Sequence, residues 1–468
     1  MLVLPAWEGA LWRGSGRAAS SSTARSFDTL LAGSSIHRRG TGVTSYVPLA
    51  VLAAVLALLI SGKVHRTTAA LGGAVTVLGL GLITEQQAIE AVQWEALGLI
   101  FGMFILVAAL SRSGFFQWIG LVTIRAVRYR PARVLIALSV LSAVLAAFMD
   151  SITVMIFMAS LTIEVARVMG VSPVPFLLAE VTSANIGVAA TMVGDPPNVI
   201  IGTSLGFGFL DFAANTAPIA IVVFVGNLAF FYFLVRRDLA KAHPRETLET
   251  RHAGGDPHAA VTDVRLMRIS LSVFAFTVTL LVLHQLLDLL VAFVALLGAV
   301  LVLALGGRDM PDLVEKIDWH TLVFLGALFV IVGSVQASGV LHEIAASIGG
   351  VAGGNPLLLI TLLLWLTALA SSFLDNVPLS AAMVPVIRDL AVATGIPLPH
   401  LAWTLALGAD FGGNGTPVGA SANIVGLAVA EKHGVHIGWR RYLPLAFPSM
   451  VLSVAIANVL LVVAFARA

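Results

Sequence analysis

Residues 193–200 read Val-Gly-Asp-Pro-Pro-Asn-Val-Ile: an acid, two prolines and an asparagine inside one of the most hydrophobic parts of the chain. Pro196 and Pro197 remove two backbone donors and disfavour the α conformation at the residue before each, so an arriving helix must open near Gly194-Asp195. The apolar run holding this stretch extends from Pro173 to Phe209, too long for one straight bilayer-spanning helix. Opened backbone at membrane depth survives only where it is buried in protein or lines a water-filled cavity.

Composition supports a membrane setting for that break. The chain has 468 residues, of which 58% are hydrophobic and only 11% charged, with a mean hydropathy of +0.97; a soluble domain would be about one quarter charged. The length allows roughly ten spans of about 20 residues. With no cysteine, disulfides, thiol catalysis, thiolate metal sites and iron–sulfur clusters are excluded. No cofactor, resident metal or nucleic-acid partner is expected. Residues 1–42 are rich in Ser, Gly and Arg and carry no apolar run; they read as a disordered tail or a start assigned too far upstream.

The sequence matches itself at an offset of 225 residues without a gap. Trp94 falls on Trp319, Ser113-Gly114 on Ser338-Gly339, Pro131 on Pro356, Asp150 on Asp375, and Gly187, Thr191, Gly194 and Asn198 on Gly412, Thr416, Gly419 and Asn423. A constant register of Trp, Pro, Asp, Thr and Asn over about a hundred residues marks a duplication. The expected halves are 43–237 and 267–468, joined by a polar cytoplasmic linker at 238–266. Each half has three simple spans, a paired apolar segment, an overlong span and a last simple span. It therefore crosses an odd number of times, and the halves are oppositely oriented, the inverted-repeat plan of secondary transporters. Loop charges agree: with Lys63 and Arg66 inside, the Arg125–Arg133 cluster, Arg236, Arg308, Lys432 and Arg440 all fall inside, and beyond residue 42 only Arg388 and Arg467 fall outside.

The paired segments, Pro131–Gly170 and Pro356–Gly395, carry AAFMDSIT and SSFLDNVP at their midpoints. Ser151 or Asn376 suits a helix cap and Pro378 a first helical turn. Two structures fit: two full spans with the Asp in an aqueous turn, or a re-entrant hairpin with the Asp at mid-depth. The second overlong span, Leu398–Val429, is expected to open within GADFGGNGTP, residues 408–417, at Gly412, Gly413, Gly415 and Pro417. A single break is usually a kink. Breaks at the same place in both halves, flanked by Asp and Asn, point to a transporter binding site whose half-helix N-termini and freed carbonyls suit ions. Candidate ligands are Asp150, Ser151, Asn185, Asp195, Asn198, Asp375, Asn376, Asp410, Asn414, Thr416 and Asn423. Glu164 and Arg167 read as snorkelling residues, Glu180 as buried and either proton-carrying or paired, and His284, His320 and His342 as interfacial.

VTSANIGVAATMVGDPPNVIIG, LDNVP and GADFGGNGTPVGASANIVGLAVAEKHG together resemble the ArsB/NhaD-type permeases of the ion transporter superfamily, in particular the P-protein branch, with citrate-transporter-like domains. The resemblance runs from Tyr46 to Phe465. It implies an all-α polytopic protein of about ten transmembrane helices plus two re-entrant hairpins, a scaffold, a mobile transport domain and usually a homodimer in the plasma membrane. It also implies elevator-type alternating access driven by protons or sodium.

The expected function is therefore secondary transport of an inorganic ion or small oxyanion, with Asp150 and Asp375 carrying the coupling ion. Na+/H+ antiport is the alternative. A dicarboxylate or citrate carrier is disfavoured, because two tip carboxylates repel a dianion at low dielectric. A channel would show unsaturating flux. An intramembrane aspartyl protease needs paired acids but no inverted duplication with two matched helix breaks.

Overall fold

The structure, a computed structural model, describes residues 46–128, 130–241, 257–307, 311–315 and 317–467. Residues 1–42, and with them the expected tail, lie outside the described residues. The first repeat-length stretch is built from α1 (Val47–Ser61), α2 (Arg66–Gly79), α3 (Glu85–Ala91), α4 (Trp94–Arg112), α5 (Phe115–Ala126), α6 (Pro131–Ala146), α7 (Ser151–Met169), α8 (Pro173–Val188), α9 (Pro196–Leu205) and α10 (Phe209–Lys241). The second comprises α11 (Val264–Leu287), α12 (Val291–Leu305), α13 (Pro311–Glu315), α14 (Trp319–Ala337), α15 (Val340–Val351), α16 (Pro356–Ser371), α17 (Asn376–Thr394), α18 (Leu398–Gly412), α19 (Ser421–Lys432) and α20 (Trp439–Arg467). No strand occurs among the described residues.

The helices start in the register of the sequence match. Arg66 and Val291, Trp94 and Trp319, Phe115 and Val340, Pro131 and Pro356, Ser151 and Asn376, Pro173 and Leu398, and Pro196 and Ser421 all open helices 225 residues apart. Proline at a first helical position needs no donor and has its φ preset, which is why Pro131, Pro173, Pro196 and Pro356 mark starts so cleanly. Of the segment read as a linker, 242–256 lies outside the described residues. Helix α10 runs through Lys241 and α11 begins at Val264, while a 3-10 turn at Pro257–Ala260 precedes it. The Thr262 amide donates to the Ser113 carbonyl at 3.0 Å, fastening the far end of this segment to the α4–α5 corner.

Seven described helices are long and apolar enough to cross a bilayer: α4, α7, α10, α11, α14, α17 and α20. Helices α1, α6, α12 and α16 are apolar but shorter. Two groups can be distinguished, touching one another through α4 with α9 and α14 with α17. In one, α2 lies between α1 and α14, and α12 between α11 and α4. In the other, the hairpins α6–α7 and α16–α17 embrace the interrupted helices α8–α9 and α18–α19, with α10 and α20 alongside.

The tightest joints of the second group are repeat-related. A Cβ on Gly187 would stand 2.2 Å from the Ala143 carbonyl oxygen, and one on Gly412 would stand 2.3 Å from that of Ala368. Only glycine lets each interrupted helix lie directly on the backbone of its hairpin arm. Gly412→Val should therefore prevent accumulation of folded protein, because the obstacle is backbone that cannot rotate away. Gly350→Val, in open space on α15, should leave expression and the gel-filtration profile intact; equal behaviour of the two variants would refute the close-packing role.

Arg167 and Arg388 form another repeat-crossing set. Arg167 of α7 donates to the His433 carbonyl at the end of α19, and Arg388 of α17 donates to the Ser204 carbonyl near the end of α9. Each guanidinium thus satisfies a free carbonyl at a helix C-terminus, where positive charge is also favoured by the dipole. Arg167 is exposed, so this tie is compatible with the snorkelling expected for it.

Candidate functional site

Helix α8 ends at Val188 and α9 starts at Pro196, so the first break spans 189–195. In the second half α18 continues through Gly412, a 3-10 turn covers Gly413–Gly415, and α19 starts at Ser421. The break therefore lies at 413–420; it contains Gly413, Gly415 and Pro417 of the expected opening, while Gly412 ends the helix and Asp410 sits in its last turn. Gly408 and Gly412 do not break the helix because they serve packing: a Cβ on Gly408 would meet the Leu364 carbonyl at 3.0 Å.

Each hairpin tip is fastened to the break of its own half. The Thr191 hydroxyl donates to the Ala147 carbonyl and the Thr416 hydroxyl to the Ser372 carbonyl. Asp150 caps α7, accepting from the Thr153 amide at 2.8 Å, and Asp375 caps α17, accepting from the Val377 amide at 3.0 Å. Asp195 then joins the two tips. It accepts from the Asn376 side-chain amide at 3.0 Å and from the Ser151 hydroxyl at 3.4 Å. Asp150 and Asp375 both lie within electrostatic range of Asp195. All three are half-buried.

Asp150 and Asp195 border a small cavity of about 20 Å³ between the two helix groups. Ile100, Met103, Phe104 and Val107 of α4 form its apolar wall, and Asp150, Gly194 and Asp195 its polar one.

The remaining expected ligands form a separate, fully buried layer. Asn185 donates to the side-chain oxygens of Asn414 at 2.8 Å and Asn423 at 2.9 Å. Asn198 donates to Asp410 at 2.9 Å. Since 185 and 410, and 198 and 423, are 225 apart, the Asn185–Asn423 and Asp410–Asn198 pairs are repeat equivalents that cross between the halves. Asn198 also holds its own break through the Val188 carbonyl at 2.9 Å, and Asn423 does so through those of Gly413 at 2.7 Å and Thr416 at 2.9 Å. The eleven expected residues thus divide. Asp150, Ser151, Asp195, Asp375 and Asn376 surround the tips, whereas Asn185, Asn198, Asp410, Asn414, Thr416 and Asn423 brace the open backbone.

The repeat relation also yields a test of Asp410. Its counterpart is already an asparagine, so Asp410→Asn places an amide where the fold accommodates one, with an oxygen still available to Asn198. The melting temperature of that variant should match wild type. Asp410→Ala leaves the Asn198 amide short of a partner and should cost about 1–3 kcal/mol. Equal losses in both would show that the charge itself holds the layer together.

Sequence reasoning missed several participants. The Tyr442 hydroxyl donates to the Asn414 carbonyl at 3.1 Å, and Asn227 donates to the Thr182 hydroxyl at 3.0 Å and is bonded to Ser449. Ser421 donates to Asp375 at 2.9 Å. Thr191 was legible as the repeat mate of Thr416. The others lie on α10, α19 and α20 with nothing in their spacing to mark them. Glu180 is paired with Thr162 between α7 and α8.

Two interrupted helices embraced by two hairpins, in an all-helical apolar chain, define an integral multi-pass membrane transporter. Residues 56–408 match the CitMHS family, described as citrate transporter, and the chain belongs to that family. It is 33% identical to a 46 kDa membrane protein of Mycobacterium leprae, over 89% of this chain and 98% of that one. It is 32% identical to an uncharacterized transporter, Rv2684, of Mycobacterium tuberculosis, with the same coverage. The human P protein is 32% identical over 89% of this chain, which spans 60% of that longer protein. Among solved structures, the YdaH transporter of Alcanivorax borkumensis has the same fold, with a TM-score of 0.59 at 14% identity, covering 90% of this chain and 98% of that one.

Proposed function

We propose that this protein is a secondary active transporter of an inorganic ion or small oxyanion, coupled to protons or sodium. In this reading it works in the plasma membrane as a homodimer joined through the group containing α1, α2, α4, α11, α12 and α14. The hairpins and interrupted helices form the moving unit and carry the site past α4 and α14 in an elevator motion. The halves are inverted, and the tips are re-entrant.

One observation carries the reading: Asp195, in the first break, accepts from residues of both hairpin tips beside a cavity at the boundary between the two helix groups. A site built there belongs to the unit that moves and opens onto the surface it slides along. Its three half-buried carboxylates attract a cation or proton and repel an unescorted anion. Asp150 and Asp375 carry the coupling ion, and Asp195 holds the tips in register around it.

The same charges support Na+/H+ antiport as a second reading, in which the carboxylates bind the transported ion itself. Citrate, from the family's description, enters as substrate only if cations first neutralise the tips. Uptake into sealed vesicles of arsenite, Na+, Li+, chloride, phosphate and citrate, each at two pH values, tests these readings. Saturable flux of one inorganic ion that depends on a proton or Na+ gradient is the expected result. Citrate uptake indifferent to both gradients would overturn it.

A further inference from the structure

The two halves differ where they meet the first helix group. Val193 of the first break and Val199 of α9 are 6% and 3% exposed, whereas their repeat equivalents, Val418 and Ile424, are 37% and 50% exposed. The first half's site face is covered by the middle of α4, which forms the cavity wall, while that of the second half is open. On this open side α14 packs against α17, and one polar contact reaches from the first group to the second-half tip.

Arg66, at the first turn of α2, spans the gap. One guanidinium nitrogen donates to Asp318 at 3.2 Å and to the Thr321 hydroxyl at 2.6 Å, both at the start of α14. The other donates to the Ser421 hydroxyl at 3.3 Å, and that hydroxyl donates onward to Asp375 at 2.9 Å. The guanidinium also lies over the Phe324 ring, 5.9 Å from its centroid. Donors and acceptors alternate correctly along the chain Arg66–Ser421–Asp375. It is anchored in the first helix group and ends on the hairpin tip of the second. The other ionisable groups at this corner are Asp318 itself, within electrostatic range of Asp150, and the His65–His320 ring pair, with centroids 4.8 Å apart.

We propose that Arg66 is a positioning residue, a tethered cation that latches the open state through Ser421 and Asp375 and that the coupling cation displaces. The proposal rests on the reading of Asp375 as a carrier of that ion. The tip carboxylates have a positive charge within reach while the site is empty. When a free cation or proton satisfies Asp375, the Ser421 bridge loses its acceptor. The latch then weakens, and the transport unit is free to leave α14. Asp318 retains the guanidinium on the stationary side, ready for the returning empty site.

Because the chain has no cysteine, single introduced cysteines report this directly. Val418→Cys and Val193→Cys would be labelled with a membrane-impermeant maleimide on open membrane fragments, in Na+-free neutral buffer, in Na+, and in mildly acidic buffer. Without Na+ at neutral pH, Cys at 418 should react faster than Cys at 193. Na+ or acid should slow the former and speed the latter by roughly three- to fivefold, the scale of one half-exposed ion pair. Arg66→Ala should give the slowed rate from the outset and lose the response to cation. Arg66→Lys, which keeps the charge but not the forked geometry, should fall between, and Asp318→Asn should resemble Arg66→Ala by freeing the stationary end.

Wild-type rates and a wild-type cation response in Arg66→Ala and Asp318→Asn would overturn the latch. So would a wild-type protein indifferent to both Na+ and acid. If Asp375→Asn keeps the cation response that Arg66→Ala has lost, Asp375 is not the carrier and that earlier reading fails, while Arg66 still governs the open state.

Discussion

Replacing Asp375 by Asn should leave a folded transporter whose transport no longer depends on pH and which retains at most slow exchange. Asparagine caps helices as well as aspartate, so the hydrogen bond from the Val377 amide, 3.0 Å in the parent, has an acceptor in the variant. What the amide cannot do is hold a proton or draw a metal cation by charge. A carrier that must bind the ion on one side and release it on the other loses that step entirely. Asp150→Asn removes the other tip charge and should have the same effect to a lesser degree, since Ser151 beside it still engages Asp195. Flux measured in vesicles across a pH series decides the matter. Wild-type pH profiles in both variants would make the two carboxylates simple helix caps and end the coupling mechanism proposed here.

Among variants that still fold, a large loss of stability is expected from Asn423→Ala. One side chain here serves three buried groups: its amide reaches the carbonyls of Gly413 and Thr416, and its oxygen accepts from Asn185. An alanine strands the Gly413 carbonyl and takes one of two partners from the Thr416 carbonyl, which also accepts from the Gly419 amide, and from the Asn185 amide, which also donates to Asn414. At about 1–3 kcal/mol for an unpaired buried group, with smaller losses at the two that keep a partner, the total is roughly 2–3 kcal/mol. Thermal unfolding in detergent should register a clear drop in midpoint, accompanied by loss of transport as the break collapses. Asn198→Ala, the repeat equivalent, should behave alike. An unchanged midpoint in either would show that the open backbone is held by other contacts.

How far the sequence reveals this architecture depends on the kind of contact. The duplication was readable because prolines and glycines are needed by backbone geometry at fixed positions, and Pro131 and Pro356 or Gly187 and Gly412 keep those positions in both halves. The first break was placed correctly at its C-terminal edge by Pro196 and Pro197. At the second break Gly413, Gly415 and Pro417 lie outside the helix while Gly412 stays within it, because glycine has two uses. In GADFGGNGTP the first glycines allow a continuous helix to touch its neighbour's backbone, and only those from Gly413 onward lie outside it. The carboxylates and amides of the site were identified by type, but their separation into a tip cluster and a buried brace depends on pairings between residues more than 180 apart, such as Asn376 with Asp195. Arg66 was hidden by a competing explanation. A basic residue at the end of an apolar run is what membrane orientation requires, and nothing in the local sequence discloses a partner 355 residues away.

The crossed pairings between the halves carry a consequence for biosynthesis. Asn185 finds its partner Asn414 only after 229 more residues are made, and the carbonyl that Arg167 binds belongs to a residue 266 positions downstream. At translation rates of about 5–20 residues per second, the first half waits roughly ten to fifty seconds with its central amides unpaired. During that interval it cannot be sealed in hydrocarbon without cost, so the newborn half must keep water, lipid headgroups or an insertion factor against Asn185 and Asn198 until its twin arrives. The nascent chain is therefore most vulnerable to quality-control proteolysis midway through its own synthesis, and a stop codon in the stretch between α10 and α11 should yield a fragment that is inserted and then destroyed.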